Sequence, residues 1–228
     1  MRYRIAFIGY GLRSATMLSA FRSLEAGVEV AAVCDTSQDA VRARTAGDPL
    51  FASASYYKDV GQMLEEISPD GGFIGTRCPL NTPLAQEGLA RRLPLFLEKP
   101  VAISGEQLAA LARAGRGQED RGVVSFPLRL CAVVEEMKRI VDSGALGKLT
   151  MVQAVNNVPY GSVYYHSWYR DPALTGGLFL QKATHDIDYI RYLVGETPTH
   201  AYAQTAKLYF RGERPAGLRC PDCPDYRA

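Results

Sequence analysis

Hydrophobic residues run along this chain in two rhythms. Over the first 125 positions, apolar runs at residues 4–8, 29–34, 72–75, 95–97 and 123–126 read as buried strands. Between them, residues 13–25, 37–46, 57–67, 83–92 and 105–116 space their apolar positions as helices do. Short continuous apolar strands alternating with helices predict an α/β fold, a doubly wound parallel sheet covered on both faces.

The rhythm changes near Phe126-Pro127. A helix is predicted over 130–142, stopped by Ser143-Gly144, and a strand over 149–158. An aromatic, Gly/Pro-rich loop (159–177) then leads into a helix over 182–194 and a strand over 199–210 with one wet face. In that helix Ala183, Ile187, Ile190 and Val194 make an apolar stripe at i, i+4, i+7 and i+11. Gln181, Lys182, His185, Asp188 and Tyr189 share the opposite, polar side. The predicted organisation is thus a nucleotide-binding domain at 1–125 and a partial α+β domain at 126–228 with an open, mainly antiparallel sheet. Two or three strands are too few to cover a helix layer. The second domain is therefore expected to be cut short, or to complete its sheet with another chain.

Composition narrows the class. Of 228 residues 47% are hydrophobic and 22% charged, the balance of a globular protein rather than a disordered one. A net charge of +2, with no basic run, gives no reason to expect nucleic acid. No window has the length of a membrane span, and the N-terminus lacks the apolar stretch of a signal peptide. Five cysteines, mostly in apolar segments, fit a reduced cytoplasmic protein. Cys220-x-x-Cys223 is half of a zinc pattern with no second pair, so no metal is expected within this chain.

Three motifs carry chemistry. Gly9-Tyr10-Gly11-Leu12-Arg13-Ser14 follows the first strand and opens the first helix. Gly9 allows a tight turn, and Gly11 lets backbone approach a pyrophosphate at the helix N-terminus, where free N–H groups face an anion. Ser14 replaces the usual third glycine; it is small enough for helix–strand packing, and its hydroxyl is a candidate phosphate donor. Asp35 closes the second strand where a carboxylate takes ribose hydroxyls, which favours NAD over NADP. Its plainer reading is a cap for the next helix. Thr36 and Ser37, with Arg13, leave NADP as the alternative cofactor. Finally, the apolar run at 95–97 ends in Glu98-Lys99-Pro100, two opposite charges at the strand end that faces the ligand crevice.

Taken with the loop Thr76-Arg77-Cys78-Pro79-Leu80-Asn81, and with Gly176-Gly177 followed by His185-Asp186-Ile187-Asp188, these motifs make the chain resemble the Gfo/Idh/MocA oxidoreductases over residues 1 to about 210. That resemblance implies a Rossmann domain followed by a domain with a large open sheet. It also implies oxidation of a sugar or polyol hydroxyl, or reduction of the matching carbonyl, with NAD(P)(H). Lys99 matches the family's Glu-Lys-Pro lysine and His185 its catalytic histidine. Cofactor contacts are expected from Gly9, Tyr10, Gly11, Leu12, Arg13, Ser14, Asp35, Thr36, Thr76, Arg77, Pro79, Asn81, Glu98 and Lys99. Substrate contacts are expected from Gln181, Lys182, Tyr160, Trp168 and Arg170, the last three from a loop whose aromatic rings suit a sugar face or an interface. Two positions depart from the common pattern: Gln181 stands where many members carry Asp four residues before the histidine, and Asn81 where the loop often ends in His. The implied partners are a small polyhydroxylated substrate and further copies of the chain, joined through the second-domain sheet. Two alternatives accompany this reading, an NAD-dependent glycoside hydrolase and a nucleotide-binding remnant without activity.

Overall fold

The computed structural model describes residues 2–24, 27–159, 161–206, 208, 214 and 218–224. They form two compact units, Met1–Gly195 and Glu196–Ala228. No helix among the described residues is long and apolar enough to cross a membrane.

In the larger unit, β1 (Tyr3–Ile8), β2 (Val28–Cys34), β3 (Ser55–Tyr57), β4 (Gly71–Ile74), β5 (Leu95–Leu97) and β6 (Gly122–Val124) pair in the order β3-β2-β1-β4-β5-β6. Every pairing is parallel. The order reverses between β2 and β4 on either side of β1, which opens a crevice at the C-terminal strand ends. The connections carry α1 (Leu12–Ser23), α2 (Gln38–Thr45), α3 (Val60–Ile67), α4 (Cys78–Ala90) and α5 (Gly105–Ala114).

Strand alternation sorts the core into two layers. Ala6, Ile8, Ile74, Leu95 and Leu97 pack with Met63 and Leu64 of α3 and with Ala85 and Leu89 of α4. Phe7, Val30, Val33 and Phe73 face the other way, toward Leu18 of α1 and Val41 of α2. Phe7, Ile8, Phe73 and Ile74 are fully buried, each contributing about 1.5–3 kcal/mol of transfer free energy.

Most predicted elements are present. The three-residue strand β3 was not expected, since Ser55-Tyr56-Tyr57 is too short and too polar to stand out. Helix α4 starts at Cys78 rather than at 83. Pro79 is tolerated in the first turn, where the N–H is unpaired anyway. Pro83 lies inside the helix and cannot donate to the Pro79 carbonyl; Gln107 Nε2 of α5 donates to that carbonyl instead, at 3.0 Å.

Beyond β6 come a 3-10 turn at Pro127–Leu130, α6 (Ala132–Asp142), α7 (Gly161–His166), a 3-10 turn at Trp168–Arg170, α8 (Pro172–Thr175) and α9 (Leu178–Val194). The strand expected over 149–158 is absent: these residues form no regular element and are mostly exposed. A run of strand-forming residues does not by itself make a strand; it needs a ladder partner, and none of the described residues supplies one. The same holds for 199–206 of the strand expected over 199–210, while residues 207, 209 and 210 lie outside the described set. In the smaller unit, Cys220–Asp222 forms a short 3-10 turn; the Cys220 side chain is not among those described.

Candidate active site

The Gly9 turn is built as its sequence demands. Gly9 has φ +79°, and a Cβ there would stand 2.7 Å from Thr76 Cγ2, so both conformation and space require glycine. Gly11 caps α1 with no side-chain acceptor at the cap, and a Cβ on it would meet nothing within 4 Å. Open space against exposed helix N–H groups fits a pyrophosphate. Leu12, the first helical residue, is 82% exposed toward solvent. Ser14 departs from expectation. It is fully buried and donates its hydroxyl to the Gly9 carbonyl at 2.6 Å. That hydroxyl is committed to the turn, and it sits where a Cβ on Gly75 would collide with it at 2.5 Å. Ser14 therefore packs helix to strand and holds the turn, with no proton to offer a phosphate.

Asp35 is a turn-holder as well. Its Oδ2 accepts from the Tyr10 N–H and its Oδ1 from the Ser37 N–H, both at 2.8 Å. Ser37, not Asp35, occupies the cap position of α2. Each carboxylate oxygen keeps a second lone pair, enough to accept from ribose hydroxyls. Thr36 beside it is exposed. Arg44, which the sequence did not single out, donates to the Tyr10 carbonyl at 2.6 Å and lies over the Tyr10 ring.

The loop after β4 and the strand end of β5 lock together. Thr76 Oγ1 donates to Asn81 Oδ1 at 2.9 Å, and Asn81 Nδ2 donates to the carbonyls of Glu98 (3.2 Å) and Pro100 (2.9 Å). Asn81 is only 1% exposed, so direct contact with a cofactor, expected from sequence, is closed to it; its amide shapes the Glu98–Pro100 turn instead. Pro79 likewise offers a carbonyl already engaged by Gln107. The Lys99–Pro100 peptide is cis. Glu98 is buried and accepts from Arg13 Nε and Nη2 at 3.2 and 3.0 Å, tying the first turn of α1 to the end of β5 across the crevice.

Lys99 and the α9 helix meet here. Lys99 Nζ donates to the Gln181 carbonyl at 2.9 Å. His185 lies one helical turn on, so its imidazole and the Lys99 ammonium share one end of the crevice. Burial, then the positive charges of Lys182 and Arg13, hold the Lys99 pKa below the ordinary lysine value, against the pull of Glu98 and Cys78. Burial likewise lowers the His185 pKa, helped by Lys99 and Lys182. The imidazole stands edge-on to Phe126 at 5.8 Å, and its Nδ1 is buried with no hydrogen-bond partner among the described residues. The pair expected from the sequence is thus brought together.

Gln181 faces away from the crevice. It is 2% exposed, and its Nε2 donates to Cys78 Sγ and to the Thr175 carbonyl, each at 3.1 Å. It therefore stitches α9 to the start of α4 rather than binding a ligand with its amide. The apolar stripe proposed for α9 is corrected too: Ile187 is 48% exposed, and the buried positions are Gln181 and Leu193. Ala183, Ile190 and Val194 of that stripe are half-buried, while the polar contacts of Gln181 anchor the N-terminal end of the helix. Lys182 Nζ lies 5.9 Å from the Tyr164 ring centroid. Trp168 stacks on Tyr169 with centroids 4.0 Å apart, and the Arg77 guanidinium covers the Trp168 ring at 3.9 Å. Arg170 is exposed in the same short turn. Tyr160 lies outside the described residues. Cys78, missed by the sequence reading, is buried at the first position of α4, which raises its thiol pKa.

Residues 3–126 match the model of an oxidoreductase family with an NAD-binding Rossmann fold, and residues 134–216 match a GFO/IDH/MocA C-terminal domain. The rhizopine catabolism protein MocA of Rhizobium meliloti is 25% identical over 92% of this chain and 63% of its own length. Inositol 2-dehydrogenase 2 of Saccharopolyspora erythraea is 29% identical over 100% of this chain and 62% of its own. The chain thus spans somewhat less than two thirds of the curated relatives it matches. The scyllo-inositol dehydrogenase of Lactobacillus casei, solved with NAD(H) and scyllo-inositol bound, superposes with a TM-score of 0.72 at 20% identity, over 86% of this chain and 57% of that one. At that identity the likeness speaks for the fold.

Proposed function

The chain belongs to the Gfo/Idh/MocA oxidoreductases, a family with an NAD-binding Rossmann fold, and from that membership we propose that it moves a hydride between NAD(H) and a carbinol carbon of a sugar or cyclic polyol. The observation that carries the proposal is the Lys99 ammonium, held on the Gln181 carbonyl within one turn of His185 at the strand ends.

The cofactor, when bound, supplies the hydride acceptor or donor. Its pyrophosphate would lie against the open space at Gly11 and the free N–H groups of Leu12 and Arg13, and its ribose at Asp35. Gly9, Tyr10, Ser14 and Asn81 serve by shaping the backbone around it. Thr76, Arg77, Pro79 and Glu98 border the same crevice. Asp35 favours NAD, since its charge would repel a 2′-phosphate. Lys99 takes the hydroxyl proton as the carbinol is oxidised once its ammonium has given up a proton and become the neutral amine, a form that its lowered pKa makes easier to reach. His185, kept neutral by burial, hydrogen-bonds the same oxygen and aligns it. Lys182, Trp168 and Arg170 border the space left for the rest of the substrate, with Tyr160 close in sequence.

We propose further that residues 1–125 and 126–228 act as cofactor and substrate domains, and that copies of the chain associate through the second. Val133 and Met137 on α6 and Ile187 on α9 are exposed apolar side chains, and they support a covering layer there.

The test is a panel of sugars and inositols with NAD and with NADP, followed at the nicotinamide absorbance, for the native chain and Lys99→Met. Turnover with NAD is expected, and the substitution should lower kcat/KM by about 10²–10⁴-fold. Turnover that ignores the loss of Lys99 would remove it from the chemistry.

A further inference from the structure

A neutral histidine can donate to a reacting oxygen or take its proton, and the nitrogen that carries the ring proton decides which. One nitrogen of His185 is closed off: Nδ1 is buried and has no hydrogen-bond partner among the described residues. The Phe126 ring, at right angles with 5.8 Å between centroids, gives the imidazole an apolar neighbour. A buried acceptor left unused is tolerated more readily than a buried N–H left unpaired. The proton therefore belongs on Nε2, and Nδ1 is a poor place for a second one. Position 181, one turn earlier on α9, offers no carboxylate; it is a glutamine whose amide is engaged by Cys78 Sγ and the Thr175 carbonyl. Burial comes first among the forces that keep the ring neutral, followed by the charges of Lys99 at the end of β5 and Lys182 on α9. Asp186 and Asp188, also on α9, pull the other way but do not prevail, and Asp188 is forked by Arg129.

We propose that His185 is a fixed Nε2–H donor to the reacting oxygen and never its base, so that the hydroxyl proton passes to the neutral amine of Lys99 alone. In the oxidation the carbinol C–H electron pair leaves with its hydrogen for NAD, the O–H proton goes to Lys99 Nζ, and the imidazole ends as it began. This deepens the reading above and rests on it for the oxygen that Nε2 meets, not for the place of the ring proton.

Nitrogen-15 spectra of the histidine-labelled chain, free and loaded with NADH at about pH 7.5, locate that proton. His185 is one of three histidines, and the His185→Gln variant assigns its signals by their loss. A bare Nδ1 and a protonated Nε2 are expected. Kinetics add a second readout, because glutamine restores an N–H near the place of Nε2 but cannot take a proton. On the fastest substrate of the sugar and inositol panel, kcat/KM should fall about tenfold in His185→Gln. In His185→Leu it should fall about 10²–10³-fold, as when an oxyanion donor is lost. The spectra need no turnover: a bare Nδ1 in a chain that turns over nothing in the panel would keep the ring proton on Nε2 and bring down the hydride-transfer reading. A proton on Nδ1, one shared between the two nitrogens, an imidazolium at that pH, or equal losses in the two variants would overturn the inference.

Discussion

Lys99 keeps an ammonium group partly out of water, with one carbonyl in hydrogen-bond contact among the described residues, and with the charges of Glu98, Lys182 and Arg13 acting on it. Burying such a group costs the fold stability, and the sign of the cost can be worked out. Its folded pKa is lowered while its unfolded value stays near the ordinary 10.4 or so. Between those two values the unfolded chain binds the extra proton, so stability contributed by this site rises with pH across that window. Below the window the penalty is felt in full; above it, the penalty is gone. Lys99→Met removes the group, so the stability difference between native and variant should shift in favour of the native chain as pH is raised from 7 toward 10. Urea denaturation at several pH values checks this, and a difference that stays flat with pH would contradict the burial argument. The lysine itself was legible in the sequence, because a charge pair closing an apolar strand must face the crevice. The inward turn of Gln181 and the sealed positions of Ser14 and Asn81 were not, since a sequence tells where a residue lies on its element but not which neighbouring element comes to meet it.

The helix α9 shows that limit at the scale of an element. Its extent was read almost correctly from spacing, but its buried face was not. Apolar periodicity predicts Ile187 inward, whereas the helix is seated by Gln181, whose amide reaches Cys78 on α4 and Thr175 at the end of α8. Gly176 explains the tight entry: with φ +72°, a Cβ there would meet Leu180 Cδ2 at 2.5 Å. Gln181→Ala leaves the Thr175 carbonyl and the buried thiol without their donor and loosens the turn that carries His185. A loss of about 1–3 kcal/mol in unfolding free energy is expected, with a fall in kcat larger than any rise in KM, measured by denaturation and steady-state kinetics together. Equal stability of the two chains would show that the stitch is idle. The strands β1, β2, β4 and β5 were legible because burial in the sheet writes a continuous apolar run; β6 was read from its Val123-Val124 pair although it lies at the exposed edge of the sheet. The segments 149–158 and 199–206 show the converse, partly apolar stretches with no ladder to join among the described residues.

For the larger unit as a whole, function requires that the sheet ends and α9 keep a fixed register, because a misplacement of about 1 Å can cost on the order of 10²-fold in rate. Hydrogen bonds from Lys99 and Gln181 hold one end of α9. The other hold is Arg129, in the turn that follows β6, whose Nε meets Asp188 Oδ2 at 2.7 Å while Nη2 meets Oδ1. Asp188 is almost buried and lies three residues after His185, so this fork fixes the rotation of the helix that aims the imidazole. Lysine keeps the charge but cannot reproduce two parallel donors. Arg129→Lys should therefore lower kcat/KM by about tenfold while leaving NADH affinity, which depends on the distant Gly9 turn, unchanged. Fluorescence titration with NADH and steady-state rates on the same preparation distinguish the outcomes. If NADH binding weakens as much as turnover, the fork supports the whole sheet rather than the orientation of α9.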